Sequence, residues 1–163
     1  MFFVRSASER DLKAVSALLG DAWHATYDAI YGRERVEAIT RDWHSLAALK
    51  RDLARPASEF LVADSGSEIA GTAYATVTAK DVVTLHRLYV SPLLQRKGIG
   101  RDLLAEIETC FDGARLLRLE VEPANVNAVD FYRAHGFAET GTVEDCGSGD
   151  SGIPAIVMEK PLA

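Results

Sequence analysis

The spacing of apolar positions along this chain changes several times, and each change marks an element. Leu12, Val15, Leu18, Leu19, Ala22 and Trp23 recur on one helix face, and Tyr27 and Ile30 extend the stripe by about one turn at a time. Ser8, with Asp11 three residues on, reads as the start of that helix, and Gly32 as its break. Helical pieces over residues 35–40 and 42–54 stop at Arg55-Pro56, because the residue before a proline is pushed out of the helical region. Short β-type runs cover residues 2–5, 59–64 and 68–78, with Ser65-Gly66-Ser67 turning the last two into a hairpin. Gly71 inside that hairpin marks a bulge or a close backbone approach. A β-branched run over 82–90 ends at Ser91-Pro92. The helix after Gly98 carries Leu103, Leu104, Ile107, Cys110 and Phe111 on one face and stops at Asp112-Gly113. A strand over 116–121 leads to a helix that opens at Pro123-Ala124-Asn125 and bears Ala128, Phe131, Tyr132 and His135. Gly136 ends it. Strands over 137–143 and 153–159 flank a flexible acidic, Gly/Ser-rich loop, 144–152. Strands and helices intermixed with hairpins predict an α/β chain built as a mixed sheet with helices on its faces.

Composition narrows this picture. At 163 residues, 48% apolar and 26% charged, the chain is expected to form one domain, 1–163, with a real core. A net charge of −6 argues against nucleic acid as the main partner. Cys110 falls on an apolar helix face and Cys146 in the late loop, and there is no CxxC or His/Cys cluster, so neither a metal nor a disulfide framework is expected. The N-terminus lacks the order of a signal peptide and no apolar run has membrane-spanning length, so the expected setting is soluble, reducing and cytoplasmic, with no membrane partner.

One stretch carries candidate chemistry. Between the strand over 82–90 and the next helix lies Gln95-Arg96-Lys97-Gly98-Ile99-Gly100. Backbone N–H groups at a helix start, with the positive end of its dipole, suit an anion such as a phosphate. Gly98 and Gly100 let the backbone approach closely, and Arg96, Lys97 and Arg101 add charge. The nucleotide-triphosphate loop is a poorer match, since Ile99 follows Lys97-Gly98. The dinucleotide fingerprint is poorer too, since position 103 is Leu.

Two blocks together give this joint a family context. Leu88-Tyr89-Val90-x-Pro92-x-x-Gln95-Arg96-Lys97-Gly98-Ile99-Gly100-x-x-Leu103-Leu104 is followed by Leu119-Glu120-Val121-x-x-x-Asn125-x-x-Ala128-x-x-Phe131-Tyr132-x-x-x-Gly136-Phe137. In order and separation they resemble the GCN5-related N-acetyltransferase (GNAT) family. That resemblance implies a central, mostly antiparallel sheet of six to seven strands with a splayed parallel pair, flanked by about four helices. It also implies acetyl-CoA as co-substrate, no metal, and direct transfer of an acetyl group to a primary amine of a small molecule or peptide. Homodimers are frequent in the family.

Carried over residue by residue, Leu88, Tyr89 and Val90 would lie along the pantetheine arm. Gln95, Arg96, Lys97, Gly98, Ile99, Gly100 and Arg101 would surround the pyrophosphate. Asn125 would bond the cofactor arm as well as cap its helix, and Tyr132 would be the general acid. His86, on the strand face of Leu88, is the candidate base, and it matches a histidine at the same strand position in serotonin N-acetyltransferase. Thr84 stands where some relatives carry a glutamate base. Trp23, Tyr27, Tyr31 and Trp43 are candidate walls of the amine pocket, with Asp28 as an ammonium partner; as single residues, core packing explains them as well. His24, His44 and His135 match no motif. Two alternatives remain open: a non-catalytic acyl-CoA sensor, and a transferase using another acyl group or a non-amine acceptor.

Overall fold

In a computed structural model, which describes residues 1–146 and 151–162, the signal at Ser8 starts a helix as expected. The Ser8 N–H donates to Asp11 Oδ2 at 2.8 Å, and a 3-10 turn (Glu9–Asp11) leads into α1 (Leu12–Tyr31). Arg5 on β1 (Phe3–Ser6) donates from two guanidinium nitrogens to the two Asp11 oxygens, each at 2.8 Å. That guanidinium holds the Asp11 carboxyl well below the usual carboxylate range, against the opposing effect of burial. Gly32, at φ 84°, ends α1 and begins α2 (Arg33–Trp43). The break before α3 (Leu46–Ala54) falls at His44-Ser45 and not at position 41. Ser45 decides it, because its hydroxyl accepts the Ala48 N–H at 3.1 Å and caps α3. The α1 stripe from Leu12 to Tyr27 is buried as expected, whereas Ile30, in the last turn before Gly32, is 42% exposed.

The strands are β1, β2 (Ser58–Asp64), β3 (Ile69–Ala79), β4 (Val82–Val90), β5 (Leu116–Val121), β6 (Ala138–Val143) and β7 (Ala155–Pro161). They form a 7-stranded sheet in the order β1-β2-β3-β4-β5-β7-β6. β1 and β2 are antiparallel, as are β5 with β7 and β7 with β6. β4 and β5 are parallel from Val82↔Leu116 to Leu85↔Leu119, and β4 runs on to Val90. Helices α4 (Ile99–Thr109) and α5 (Val126–Ala134) complete the helices among the described residues, in keeping with the fold that the resemblance implies.

The chain divides into two compact units. The first comprises Met1–Ala75 with Arg87–Cys110, and the second Thr76–His86 with Phe111–Ala163. In the first, Leu12, Val15, Leu19, Leu49, Phe60, Val62 and Tyr74 form a buried cluster against which Tyr89 packs. Gly71 of β3 is a close approach. A Cβ there would lie 3.0 Å from Ile99 Cγ2, 3.0 Å from Leu103 Cδ1 and 3.1 Å from the Tyr89 carbonyl. In the second unit Leu117, Leu119 and Val121 alternate inward on β5, and the Asp81 carbonyl accepts both the Arg115 N–H at 2.7 Å and the Leu116 N–H at 3.1 Å. Gly136, at φ 95°, closes α5: its N–H bonds the Arg133 carbonyl, and the Phe137 N–H bonds the Tyr132 carbonyl at 3.0 Å. The acidic loop expected over 144–152 is described only in part, since residues 147–150 lie outside the described residues.

His44, at the α2–α3 corner, is buried. Its Nδ1 meets the Thr40 hydroxyl at 2.6 Å, its carbonyl accepts the Ser16 hydroxyl at 2.7 Å, and its ring lies 5.8 Å from that of Trp23. Burial, and then the charge of Arg87, push its pKa down from 6.5 to about 3. Between those values the unfolded chain binds a proton that the folded chain does not. His44 therefore contributes stability above pH 6.5 that is lost as pH falls towards 3, by about 1.4 kcal/mol per pH unit. The lowered Asp11 acts with the same sign in more acidic solution. In urea melts at pH 7 and pH 4.5, His44→Gln is expected to show a smaller loss between the two than wild type; an equal loss would discard the assignment.

Candidate active site

Within the first unit the stretch from the end of β4 to α4 builds a cationic joint with its backbone open at a helix start. The Ser91 N–H donates to the Ala70 carbonyl at 2.7 Å, and Pro92–Leu94 form a 3-10 turn. Gln95, Arg96 and Lys97 are then exposed. Gly98, at φ 82° and ψ 6°, is left-handed, and so is Arg96, at φ 66°. A non-glycine residue in that region is costly and clusters at ligand-binding loops. The first helical bond of α4 runs from the Asp102 N–H to the Gly98 carbonyl at 3.0 Å, so the N–H groups of Ile99, Gly100 and Arg101 precede the ladder and have no acceptor within it. A Cβ at Gly98 would sit 2.7 Å from Arg101 Nη2, which places that guanidinium over the joint. Ile99 itself is buried, so only its backbone faces the loop. Left-handed turns, first-turn N–H groups and three cationic side chains suit a pyrophosphate, the anion that the resemblance implies.

Leu88, Tyr89 and Val90 on β4 are half-buried. Trp23 and Tyr27 are closed to solvent at 5% and 3% exposure, with ring centroids 4.5 Å apart. Trp43 meets Trp23 edge-on at 5.4 Å, and Tyr31 stacks near Tyr27 at 6.0 Å with Arg35 over its ring. Asp28 bonds His24 Nδ1 at 2.7 Å. These residues are brought together along α1, with Trp43 meeting them from the end of α2, and Tyr31 and Trp43 are the more open members.

The second unit holds the remaining candidates. His86 is exposed on β4, with Nε2 at 2.8 Å from the Thr76 hydroxyl, and Thr84 meets Thr78 at 2.7 Å on the same face. Asn125 caps α5: its side chain accepts the Ala128 N–H at 3.3 Å, and its N–H donates to the Glu122 carbonyl at 2.9 Å. Tyr132, two turns along the same helix, is 8% exposed, its ring edge-on to Phe131 and Phe137, each at 5.4 Å. Sequence reasoning passed over Glu120 and the buried Glu122, which bracket Val121 on β5. Burial, and then these two carboxylates, raise the Cys146 thiol to about 11. Alternation with Leu119 and Val121 was the available signal. Cys110 caps α4, half-buried, and is also raised to about 11, chiefly by burial, so it remains a thiol at neutral pH. Among the described residues no three His, Cys, Asp or Glu side chains gather as a metal-binding group, and no helix is long and apolar enough to cross a membrane.

Comparison with known proteins defines the class. A model of the acetyltransferase (GNAT) domain matches residues 27–162. The chain is 31% identical over 163 residues to spermidine N(1)-acetyltransferase of Thermoplasma acidophilum, covering 96% of this chain and 95% of that one. It is 36% identical over 102 residues to N-alpha-acetyltransferase RimI of Mycobacterium tuberculosis, covering 58% and 61% respectively. The crystal structure of PaiA N-acetyltransferase from Thermoplasma acidophilum in complex with coenzyme A superposes with a TM-score of 0.86 at 28% identity, over 99% of both chains. Fold and relatives together define an acyl-transferring enzyme. The chain belongs to the GNAT family of N-acetyltransferases.

Proposed function

We propose that residues 1–163 act as one catalytic domain that transfers an acetyl group from acetyl-CoA directly to a primary amine of a small molecule or peptide. The observation that carries this reading is the joint between β4 and α4, with left-handed Arg96 and Gly98 followed by the open N–H groups of α4. The coenzyme A bound to the PaiA structure and the spermidine named for the Thermoplasma relative support the same chemistry. Acetyl-CoA supplies the activated thioester.

The backbone of residues 95–101, with the side chains of Gln95, Arg96, Lys97 and Arg101, holds the pyrophosphate. Leu88, Tyr89 and Val90 align the pantetheine arm by strand-like bonds, and Asn125 holds it from the cap of α5. Catalysis comes mainly from fixing the amine beside the carbonyl carbon. One C–N bond forms and one C–S bond breaks. An alkylammonium has a reference pKa of about 10.4, so the amine must lose a proton before attack. His86 accepts that proton, and the Tyr132 hydroxyl donates one to the departing sulfur. Tyr31, with Trp23, Tyr27, Trp43 and Asp28 behind it, lines the amine side.

The decisive experiment measures release of coenzyme A thiol against polyamines, amino acids, aminoglycosides and peptide N-termini. Acetyl-CoA-dependent release with at least one primary amine is expected, polyamines being the first class to try. Calorimetric binding of acetyl-CoA without release from any acceptor would replace the enzyme by an acyl-CoA sensor, and absence of binding would remove the reading altogether.

A further inference from the structure

A charged residue interrupts the apolar run of β4. Arg87 directly precedes Leu88, and its side chain is only 10% exposed. Nη1 donates to Asp52 Oδ2 of α3 at 2.7 Å. The guanidinium carbon lies 4.5 Å from the Tyr74 ring centroid on β3 and 5.1 Å from that of Phe60 on β2. Nε and Nη2 are sealed from solvent and have no hydrogen-bond partner. The titratable neighbour His44 is buried and uncharged, so Asp52 is the counter-charge.

As a source of stability this arrangement is poor. A largely buried guanidinium recovers its lost hydration only when its hydrogen bonds are complete, and here Nε and Nη2 are left over while the Asp52 side chain is 24% exposed. Apolar side chains of similar size would fill the same space without that penalty. What they would lack is direction. A planar guanidinium stacked on two rings and tied to α3 has one orientation, so the β4 main chain that carries it is held from α3, β2 and β3 at once.

We propose that the Arg87–Asp52 pair is a positioning device for acetyl transfer, which fixes the β4 backbone at Leu88 at the expense of fold stability. The proposal rests on Leu88 lying along the acyl arm, as the proposed function has it. Arg87 acts through the strand and does not touch the reacting atoms.

The test is the double variant Arg87→Met/Asp52→Leu, which removes both charges together and leaves no lone buried ion. Its Tm is expected to equal or exceed that of wild type by a few degrees. Its kcat is expected to fall about tenfold, with KM for acetyl-CoA within about twofold. Amide hydrogen exchange at residues 88–90 is expected to quicken about tenfold while β5 stays unchanged. Arg87→Lys, which keeps the charge but not the planar stack, is expected to remain folded and to stay below wild-type kcat. A double variant with wild-type kcat and exchange would overturn the proposal. So would a lowered Tm with faster exchange throughout the first unit, which marks an ordinary structural pair, or full activity in Arg87→Lys. If wild type itself releases no coenzyme A thiol, the proposed function fails by that result alone, and exchange at residues 88–90 still decides the role of Arg87.

Discussion

Replacing Tyr132 by Phe is expected to lower kcat about a hundredfold, the lower end of what a positioned acid contributes, with KM for acetyl-CoA changing by no more than about twofold. The ring of Tyr132 has apolar company that Phe can keep. Phe131 and Phe137 meet it edge-on, and its carbonyl, not its hydroxyl, takes part in closing α5. Phe preserves those ring contacts while the proton donor disappears, so kcat is the quantity to read. Paired with His86→Ala in one pH–rate series, the experiment separates the two roles. Loss of the hydroxyl should remove the limb on the alkaline side, and loss of the imidazole the limb on the acidic side. Wild-type kcat in Tyr132→Phe would take the acid role from this residue, and an unaltered acidic limb in His86→Ala would pass the base role to another group, with Glu120 the first to examine.

The second large effect concerns Gly71. Leu at this position is expected to cost about 3 kcal/mol in urea unfolding, with Ala costing roughly 1 kcal/mol. The methyl of alanine already meets two side chains of α4 and a main-chain oxygen of β4 at distances that force a shift, and the carbonyl cannot yield as a side-chain tip can. Leu would displace the start of α4 outward, because Ile99 is its first residue, and the anion-binding joint would move with it. Affinity for acetyl-CoA should therefore fall together with stability. Wild-type stability in Gly71→Leu would show that α4 does not press on β3 here.

Much of this was legible beforehand. The α1 stripe, the hairpin and the stop at Ser91-Pro92 follow from local periodicity and turn chemistry, which act within a few residues. The joint at residues 95–101 was legible for the same reason: its glycines and cations are contiguous. Other features depend on distant partners. That β7 inserts between β5 and β6 is a matter of long-range pairing, to which no local spacing points. The other left-handed residue of the joint is Arg96, two before Gly98, a residue type that gives no warning of such a backbone. The setting of Arg87 depends on Asp52, Phe60 and Tyr74, which come from three separate segments. The α1 aromatics carried two readings from the outset, and their spacing could not say that Trp23 and Tyr27 would be closed off while Tyr31 stayed more open.

The order β5-β7-β6 has a consequence for synthesis on the ribosome. β6 pairs with β7 from Ala138↔Glu159 to Val143↔Ala155, yet it is translated first. Until β7 leaves the exit tunnel, β6 has no neighbour, and β5 lacks one on the side β7 will fill. β6 and β7 are consecutive in sequence and can pair as a hairpin, but the edge of β5 stays open until that hairpin docks, a template for other nascent chains in the meantime.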